Sequence, residues 1–515
     1  MNERRYPIGI QNFEKLRKEG FLYVDKTELV YRLVKTGTYY FLSRPRRFGK
    51  SLLVSTLEAY FQGKKELFAG LALERLEKDW AEHPVLHIDL NTQQYNTTEN
   101  LSTKLNRELV EWEKLYGAEA AEVSLSMRFE GVIRRACERT GQRVAILVDE
   151  YDKPMLQAIG DKGLQQAFRA TLKPFYGVLK SMDKYIKFAF LTGVTKFGKV
   201  SVFSDLNNLL DISMDEAYTG ICGITEGELT TYFKEDIHDL AVAQGMTDGE
   251  TLARLKENYD GYHFVPHTEG IYNPFSLLNT FYKRKFGSYW FETGTPTYLV
   301  ELLQRTSYDL ERLPCEETSD EVLNSIYDDD MPIPVIYQSG YLTIKDYDEE
   351  FGIYTLGFPN REVAEGFMRF LMPFYTKVNK TNSAFEIKRF VQEIQAGDPD
   401  AFLKRLRSFF SGTPYELVGE QELYYQNVLF IVFRLVGFHV QAEFHTSEGR
   451  VDLVLQTDKY VYVMEFKLDG TAEEAMQQIN DRHYARPFEA DGRRVFKVGV
   501  NFSKATRTID SWIIG

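Results

Sequence analysis

The sequence is poor in cysteine and has no long apolar run. Its three cysteines, Cys137, Cys222 and Cys315, are widely spaced and form neither a CxxC pair nor a disulfide framework. The most apolar stretch, residues 427–433, is followed by Arg434 and falls far short of the roughly 20 residues that a membrane helix needs. The first residues contain no apolar signal core. These absences exclude a disulfide-rich secreted protein and a membrane protein, and we expect a reduced, cytoplasmic protein.

The sequence also lacks an excess of positive charge. It has 62 Lys and Arg against 75 Asp and Glu, for a net charge of −13, which excludes a protein covered with phosphate-neutralising side chains. A local basic channel stays compatible with this charge, since residues 1–60 are rich in Lys and Arg. The strongly acidic residues 316–330 are expected to form a solvated loop. With 43% hydrophobic residues over a length of 515, the chain is expected to fold into about two to four domains.

The first half of the chain alternates short apolar segments with segments of helical periodicity. The apolar segments are continuous, as is typical of buried parallel strands, and cover residues 39–42, 85–90, 144–149 and 186–192. We therefore predict an α/β domain of three layers, with a parallel sheet between two layers of helices.

The rest of the chain changes character twice. Strand-like segments stop near residue 212, and residues 225–400 are predicted to be mainly helical, beginning at a capping box formed by Thr225 and Glu228. After residue 400 the pattern predicts helices over 401–410 and 422–436, strands between 441 and 467, a helix over 471–484 and a final strand over 495–501. This order indicates a second, smaller α/β domain.

A phosphate-binding loop is predicted at residues 43–51, Ser-Arg-Pro-Arg-Arg-Phe-Gly-Lys-Ser, between a strand and a helix. The segment matches the nucleotide-binding pattern G-x-x-x-x-G-K-[ST], whose backbone N–H groups hold phosphates, except that Arg44 occupies the first glycine position. We expect Lys50 to reach the β- and γ-phosphates, Ser51 to hold Mg²⁺ and Gly49 to let the backbone approach closely. The alternative is a chance Gly-Lys-Ser at the start of a helix.

The expected nucleotide-binding segment comprises Arg46, Arg47, Phe48, Gly49, Lys50, Ser51 and Leu52. Whether Arg46 and Arg47 flank the phosphates or face solvent is left open at this point.

The predicted strand 144–149 ends in the acidic pair Asp149 and Glu150. Beside a phosphate loop, we expect Asp149 to hold Mg²⁺ through water and Glu150 to orient the attacking water. Thr192, at the end of the next predicted strand, is expected to contact the γ-phosphate. The alternatives are a strand that ends in a solvated acidic turn and an ordinary threonine at a strand end.

Residues 449–467 are typical of a β-hairpin with a two-residue turn at Asp458-Lys459. This turn places Asp452 directly opposite Glu465, with Cβ atoms about 4.5–5.5 Å apart, and points Lys467 to the same face. Two carboxylates so close repel each other unless a cation lies between them, and Mg²⁺ prefers carboxylate oxygens and water. We therefore expect Asp452 and Glu465 to bind Mg²⁺ and Lys467 to position a water for attack on a phosphodiester or to neutralise its charge. The alternative is a structural ion pair between Lys467 and Glu465.

Several segments resemble the AAA-ATPase-like family of bacterial proteins. They are Tyr6-Pro-Ile-Gly-Ile-Gln-Asn-Phe, Tyr23-Val-Asp-Lys-Thr, Arg44-Pro-Arg-Arg-Phe-Gly-Lys-Ser-Leu, Asp149-Glu-Tyr-Asp-Lys-Pro, Tyr259-Asp-Gly-Tyr-His-Phe and Tyr289-Trp-Phe-Glu-Thr-Gly-Thr-Pro. Members of that family share the missing first glycine and usually carry a C-terminal PD-(D/E)XK nuclease-superfamily domain, whose site the Asp452…Glu465-Phe-Lys467 pattern resembles. The resemblance implies that Glu422 is a further metal ligand and that Gln478 and Tyr484 orient the site or touch substrate.

The resemblance implies an α/β protein of four parts. They are a P-loop ATPase domain of three α/β/α layers (1–211), a helical lid (212–290), a mainly helical middle region (291–400) and a PD-(D/E)XK-like α/β domain (401–515). The leading hypothesis is a protein that binds and hydrolyses ATP and cuts DNA with a Mg²⁺-dependent nuclease domain under nucleotide control, in the absence of any membrane partner. Self-association into a homo-oligomer is left open. The alternatives are an ATP-dependent switch whose nuclease-like domain only binds, and a scaffold that binds nucleotide without turnover.

Overall fold

A computed structural model describes most of the chain. The described residues are 4–196, 208–291, 297–323, 331–376, 378–379, 382–410, 421–437, 439–444, 452–488, 490, 492–506 and 508–515. The chain forms two compact units: the first combines Met1–Thr293 with Pro314–Glu362, and the second combines Gly294–Leu313 with Val363–Gly515. In the part of the chain that the structure describes, we find no helix with the length and apolar character needed to cross a membrane. The four-part division of the sequence stays a prediction.

A parallel five-stranded sheet forms the centre of the first unit. Its strands are β1 (Tyr39–Ser43), β2 (Val85–Asp89), β3 (Val144–Asp149), β4 (Ile186–Gly193) and β5 (Leu210–Asp211). The strand order is β2-β3-β4-β1-β5, and each neighbouring pair is parallel. The predicted parallel sheet is therefore confirmed. Because parallel strands all end at one edge, the carboxyl ends of β1, β3 and β4 lie close together there, with β4 in the middle.

Helices cover both faces of this sheet. They are α1 (Phe13–Lys18), α2 (Thr27–Thr36), α3 (Lys50–Phe61), α4 (Ala72–Leu76), α5 (Thr98–Tyr116), α6 (Leu125–Thr140), α7 (Lys153–Gln157) and α8 (Lys162–Ser181). Ile146 and Val148 of β3 belong to a fully buried apolar cluster that includes residues of α5, α6 and α8. On the other face α3 packs against β3 and β4, and the ring of Phe61 lies 5.0 Å from that of Phe188. The three-layer α/β arrangement follows from strands that are apolar on both faces.

Four helices follow the sheet in the segment that the sequence predicts to be a lid, and this name is kept for them below. Its helices are α9 (Glu226–Tyr232), α10 (Lys234–Gln244), α11 (Asp248–Tyr259) and α12 (Pro274–Lys283). The predicted capping box at Thr225 and Glu228 is confirmed at the start of α9. Tyr6 and Val24 pack against the apolar core of these helices, so the first residues of the chain are attached to the lid.

A small antiparallel sheet lies inside the region that was predicted to be mainly helical. Its strands are β6 (Glu316–Ser319), β7 (Thr343–Asp348) and β8 (Ile353–Gly357), in the order β6-β8-β7, and it is joined by α14 (Asp320–Leu323) and α15 (Pro332–Gln338). The expectation of a solvated acidic loop is wrong for residues 316–319, because Glu316 and Thr318 are buried. Glu-Glu-Thr-Ser has no alternating apolar pattern, and its strand forms through pairing with β8, a distant segment.

The second unit combines helices with a mixed sheet. The helices are α13 (Thr297–Arg305), α16 (Arg361–Tyr375), α17 (Ser383–Ala396), α18 (Pro399–Phe410), α19 (Gln421–Gly437) and α20 (Ala472–Asp481). The strands are β9 (Gln441–Phe444), β10 (Leu453–Gln456), β11 (Tyr460–Leu468), β12 (Arg494–Ser503) and β13 (Thr508–Ile514), in the order β13-β12-β11-β10-β9. Strands β11 and β12 are parallel and joined through α20, which packs on both. The predicted order is confirmed, with β13 as an additional strand.

Short 3₁₀ helices complete the description. They cover Lys65–Phe68, Leu90–Thr92, Asp183–Tyr185, Glu216–Ile221, Leu310–Cys315 and Arg486–Phe488.

Candidate functional site

The phosphate loop joins β1 to α3, as the sequence predicts. Gly49 has φ of 94° and Arg47 has φ of 67°, so the two left-handed positions of the loop are 47 and 49. The Nζ atom of Lys50 lies inside the loop and donates hydrogen bonds to the carbonyl oxygens of Arg44 (2.9 Å) and Pro45 (3.1 Å). An ammonium group thus lies at the N-terminus of α3, and helix N-termini favour phosphate oxygens because their first backbone N–H groups have no partner within the helix.

Arg44 explains why the first glycine of the loop pattern can be absent. Its φ is not left-handed, so glycine is not required there, and its side chain is only 2% exposed. The guanidinium group donates to the carbonyl oxygens of Ser213 (2.8 Å) and Tyr218 (3.2 Å) and lies 3.9 Å from the centre of the Phe264 ring. Burial lowers the pKa of Arg44 to about 10. Arg44 therefore fixes the start of the loop to the segment that leads into the lid.

The other residues of the loop divide into exposed and buried positions. Arg46 and Arg47 are exposed, and the guanidinium of Arg47 lies 4.6 Å from the Phe275 ring. Phe48 is 1% exposed and packs edge-on against Tyr262 at 4.7 Å. Phe48 therefore holds the loop against the lid, a role that the sequence pattern did not predict.

The acidic strand brings its carboxylate to the phosphate loop. Asp149 is 4% exposed at the end of β3, and its carboxylate lies beside the Ser51 hydroxyl. Burial raises its pKa to about 6, against the opposing effects of Ser51 and Lys50. Among the described residues, Oδ1 of Asp149 has no hydrogen-bond partner. A buried, unpaired carboxylate oxygen beside a hydroxyl fits a divalent cation.

Glu150 and Thr192 complete this edge of the sheet. Glu150 follows Asp149 with φ of 51°, a conformation that is rare outside glycine and common at functional sites. Thr192 of β4 is fully buried, and its hydroxyl lacks a hydrogen-bond partner in the described part of the chain. Both residues lie at the strand ends that flank the phosphate loop.

Asp152 is a site residue that sequence reasoning missed. It is 1% exposed, and its Oδ2 accepts hydrogen bonds from the N–H groups of Val194 (3.1 Å) and Thr195 (2.7 Å) and from the Thr195 hydroxyl (2.7 Å). The Tyr151 hydroxyl donates to the carbonyl oxygen of Thr195 (2.8 Å). The turn after β3 is thereby fixed to the end of β4. In the sequence, Asp152 is the second aspartate of Asp149-Glu-Tyr-Asp-Lys-Pro, a segment of the family resemblance in which no role was assigned to it.

An apolar cavity of about 630 Å³, counting the solvent at its mouth, lies beside the phosphate loop. Its walls combine residues that are far apart in the sequence. They include Tyr23, Val24, Lys26, Phe48, Gly49, Leu52, Leu53, Ile221, Cys222, Ile224, Phe233, Pro274 and Leu278. Leu52, predicted only as the end of the loop, lies in this wall. The cavity can hold a flat apolar group next to the phosphates.

In the second unit the hairpin has the predicted register. Leu453 pairs with Met464 and Gln456 with Val461, so Asp452 lies opposite Glu465. The turn closes at residues 457–460, where the N–H of Thr457 donates to the carbonyl oxygen of Tyr460 (2.8 Å). This part of the sequence prediction is confirmed.

Three side chains meet on one face of the hairpin. The Nζ atom of Lys467 lies 3.2 Å from Oε1 of Glu465 and 2.5 Å from Oε1 of Gln478 on α20. Glu465 is 2% exposed, and its Oε2 has no hydrogen-bond partner within the described ranges. This unpaired buried oxygen, opposite Asp452, fits a divalent cation.

Both carboxyl groups have shifted pKa values. Burial raises the pKa of Asp452 to about 7; the Phe466 N–H opposes this rise and the Glu465 charge adds to it. Burial also raises the pKa of Glu465, against the effect of Lys467. The charge of Glu311, a residue that the sequence did not suggest, adds to the rise at Asp452. In the described part of the chain, no three Asp, Glu, His or Cys side chains are grouped closely enough to hold a metal ion.

Glu422 and Tyr484 are the remaining predicted residues of this site. Glu422 lies on α19, but its side chain is outside the described residues. Tyr484 packs against an apolar cluster formed by Val454, Val461 and Ile479. The structure therefore brings Gln478 to Lys467 and Glu465, and Tyr484 to the adjacent core.

Comparisons with known proteins match both units. The family model "Predicted AAA-ATPase" matches residues 7–203, and the model "PD-(D/E)XK nuclease superfamily" matches residues 420–512. An uncharacterized protein in the vnfD 5' region of Azotobacter chroococcum mcd 1 is 35% identical over 532 residues, covering 100% of this chain and 99% of that protein. The chain therefore belongs to the predicted AAA-ATPase family and carries a domain of the PD-(D/E)XK nuclease superfamily.

Proposed function

We propose that this protein binds and hydrolyses ATP and that its second unit is a Mg²⁺-dependent nuclease that cleaves DNA under nucleotide control. The observation that carries the nuclease proposal is the arrangement of Asp452, Glu465 and Lys467 on one face of the hairpin. The buried Oε2 of Glu465, which has no partner among the described residues, supports a cation between the two carboxylates.

At the nucleotide site, Lys50 is the group that moves to the ligand. Its ammonium leaves the carbonyl oxygens of Arg44 and Pro45 and donates to the β- and γ-phosphates of ATP. Ser51 and Asp149 are the residues that would hold Mg²⁺, which neutralises phosphate charge when bound. Glu150 orients the attacking water, and Thr192 donates to the γ-phosphate. The adenine base enters the cavity beside Leu52.

At the nuclease site, Asp452 and Glu465 would hold the metal ion, with Glu422 as a further ligand. When bound, the ion supplies a nucleophilic water and offsets the charge of the phosphodiester. Lys467 gives up its contact with Glu465 and neutralises the phosphate charge that develops during attack. Gln478 orients the Lys467 ammonium through the 2.5 Å hydrogen bond.

A hydrogen-bonded path supports control by nucleotide. The indole N–H of Trp290 donates to the carbonyl oxygen of Arg46 (3.0 Å), inside the phosphate loop. The backbone N–H of Trp290 donates to Oε1 of Glu362 (2.8 Å). Glu362 lies in the first turn of α16, and the rest of that helix belongs to the second unit. A change in the loop on nucleotide binding would reach the first turn of α16 through Trp290.

The test of the nuclease is cleavage of supercoiled plasmid by the full-length protein with Mg²⁺, with and without ATP. We expect nicked and linear products from wild type and none from Glu465→Ala. The control variant Asp510→Asn, which removes an exposed carboxylate on strand β13, is expected to cleave like wild type. Cleavage that persists in Glu465→Ala comes from a contaminating enzyme and contradicts the proposal.

The test of the nucleotide site is phosphate release from ATP by the same preparations. We expect Lys50→Ala to lose ATP binding and Glu150→Gln to keep binding while losing turnover. Equal phosphate release by wild type and Glu150→Gln would show that Glu150 does not orient the attacking water, and release at the protein-free background from wild type would indicate a protein that binds nucleotide without hydrolysis.

A second candidate function is an ATP-dependent switch whose nuclease-like domain binds nucleic acid or protein without cutting. It is favoured by the 3.2 Å ion pair between Lys467 and Glu465. Plasmid binding without cleavage, unchanged in Glu465→Ala, would support this function.

A further inference from the structure

Lys26 is the charged side chain in the wall of the cavity beside the phosphate loop; the other lining residues that the structure describes are apolar or uncharged. We propose that Lys26 recognises the purine base, by donating a hydrogen bond from its ammonium group to a ring nitrogen of adenine. This inference rests on the proposed function, because it requires that the cavity hold the base of a nucleotide whose phosphates lie in the loop.

The position of Lys26 is fixed by an ion pair. Its Nζ atom lies 2.6 Å from Oε1 and 2.5 Å from Oε2 of Glu228, and the Lys26 side chain is 11% exposed. Glu228 is itself held in place, because its Oε2 accepts a hydrogen bond from the N–H of Thr225 (2.9 Å) in the capping box of α9. The ammonium group of Lys26 bonds to both carboxylate oxygens of Glu228, and this ion pair holds the side chain in the wall of the cavity.

The ammonium group of Lys26 retains hydrogen-bonding capacity for a ligand. An ammonium has three N–H donors, and within the described residues its hydrogen bonds go to the two oxygens of Glu228. Burial lowers the pKa of Lys26, and the Glu228 charge opposes this change and favours the ammonium form. A buried donor without an acceptor destabilises a structure, so a ligand that supplies an acceptor is stabilised here. The ring nitrogens of adenine are such acceptors.

The ion pair also connects the base to the lid. Lys26 precedes α2, in the segment before the parallel sheet, whereas Glu228 lies on α9 of the lid. A base bound to Lys26 therefore contacts the residue that joins these two parts of the first unit. Inorganic tripolyphosphate has the phosphate groups of ATP but no base, so it separates the base contact from the phosphate contacts.

The first experiment is calorimetric titration of the full-length protein with ATP and with inorganic tripolyphosphate, both in Mg²⁺. For Lys26→Met we expect ATP affinity to fall about 10- to 100-fold, the loss of one hydrogen bond from a charged donor, while tripolyphosphate affinity stays at the wild-type value. Lys35→Met is the matched control, because Lys35 is an ion-paired lysine on α2 outside the cavity wall. Unchanged ATP affinity in Lys26→Met, or equal losses for both ligands, would overturn the role of Lys26.

The second experiment uses wild-type protein and so does not depend on the folding of a variant. We compare ATP with its 1-deaza, 3-deaza and 7-deaza analogues, each of which replaces one ring nitrogen by carbon. One analogue is expected to bind about tenfold or more weakly, and equal binding of all four nucleotides would overturn the proposal. A wild-type protein that binds neither ATP nor tripolyphosphate would instead overturn the proposed function, and this inference with it.

Discussion

Asp452 accepts a 2.8 Å hydrogen bond from the backbone N–H of Phe466, the residue between Glu465 and Lys467. This bond joins the first carboxylate of the nuclease site to the strand that carries the other two side chains. A slip of one residue between β10 and β11 would break it and turn Glu465 and Lys467 to the opposite face. The site is therefore specified by the register of a hairpin, and several of its properties can be tested.

The pH dependence of metal binding follows from the pKa of Asp452. Burial raises this pKa from 3.8 to about 7, so the carboxyl group is protonated below neutral pH and must lose its proton to bind a metal ion. We expect Mg²⁺ affinity and Mg²⁺-dependent cleavage to fall about tenfold per pH unit below pH 7 and to level off above it. The measurement is calorimetric Mg²⁺ titration from pH 5 to pH 8.5.

The raised pKa of Asp452 also predicts how the stability of the metal-free protein depends on pH. Between pH 4 and pH 7 the folded state holds a proton on Asp452 that the unfolded state releases, so stability falls as the pH rises through this range. Added Mg²⁺ is expected to raise the melting temperature above pH 7 and to have little effect at pH 5. In Asp452→Asn we expect neither the fall in stability between pH 4 and pH 7 nor the stabilisation by Mg²⁺ above pH 7. An unchanged pH profile in that variant would show that another group is responsible for the pH dependence.

Gln478→Ala tests the contact that orients Lys467. Removing the amide leaves the ammonium without its 2.5 Å partner, and we expect cleavage to slow about 10- to 100-fold with Mg²⁺ affinity unchanged. Gln477→Ala is the matched control, since Gln477 is the exposed neighbour on the same helix. Equal cleavage rates for the two variants would show that Gln478 does not orient Lys467.

Trp290→Phe tests the path from the phosphate loop to α16. Phenylalanine keeps an aromatic ring but removes the indole N–H that donates to the carbonyl oxygen of Arg46. We expect ATP affinity to change less than threefold, while the difference in plasmid cleavage with and without ATP is lost. In the control variant Trp80→Phe, the removed indole N–H has no hydrogen-bond partner among the described residues, and ATP dependence should be kept. If ATP changes plasmid cleavage by Trp290→Phe as much as by wild type, control by nucleotide does not depend on the Trp290 hydrogen bond.

Arg44→Met tests the tether at the start of the phosphate loop. The substitution leaves the carbonyl oxygens of Ser213 and Tyr218 without a buried donor. We expect the free energy of unfolding of the first unit to fall by about 2–4 kcal/mol. Scanning calorimetry provides the measurement, with the exposed Arg47→Met as control. A melting temperature equal to that of the control would show that the hydrogen bonds of Arg44 to Ser213 and Tyr218 do not stabilise the first unit.

Features that depend on local pattern could be predicted from the sequence. The parallel strands were visible as short apolar segments, and the Asp452–Glu465 pairing followed from the turn at Asp458-Lys459 because side chains alternate in a strand. The family matches of residues 7–203 and 420–512 confirm the two domain types that the resemblance indicated.

Features that depend on distant segments could not be predicted. The burial of Arg44 requires Ser213, Tyr218 and Phe264, none of which its neighbours in sequence specify. The cavity wall likewise combines residues as far apart as Tyr23 and Leu278. Strand β13 was missed because Thr508–Ile514 is mostly exposed or half-buried at the sheet edge, which weakens its apolar pattern.

The order in which the two compact units use the chain has a consequence for its synthesis. Residues 314–362 return to the first unit after residues 294–313 have entered the second. The first unit therefore stays incomplete on the ribosome until residue 362 has emerged, even though its central sheet is made within the first 211 residues. Translation that stops after the lid would yield a protein without β6, β7 and β8. Because each unit consists of two separate stretches of the chain, no single proteolytic cleavage can release either unit intact.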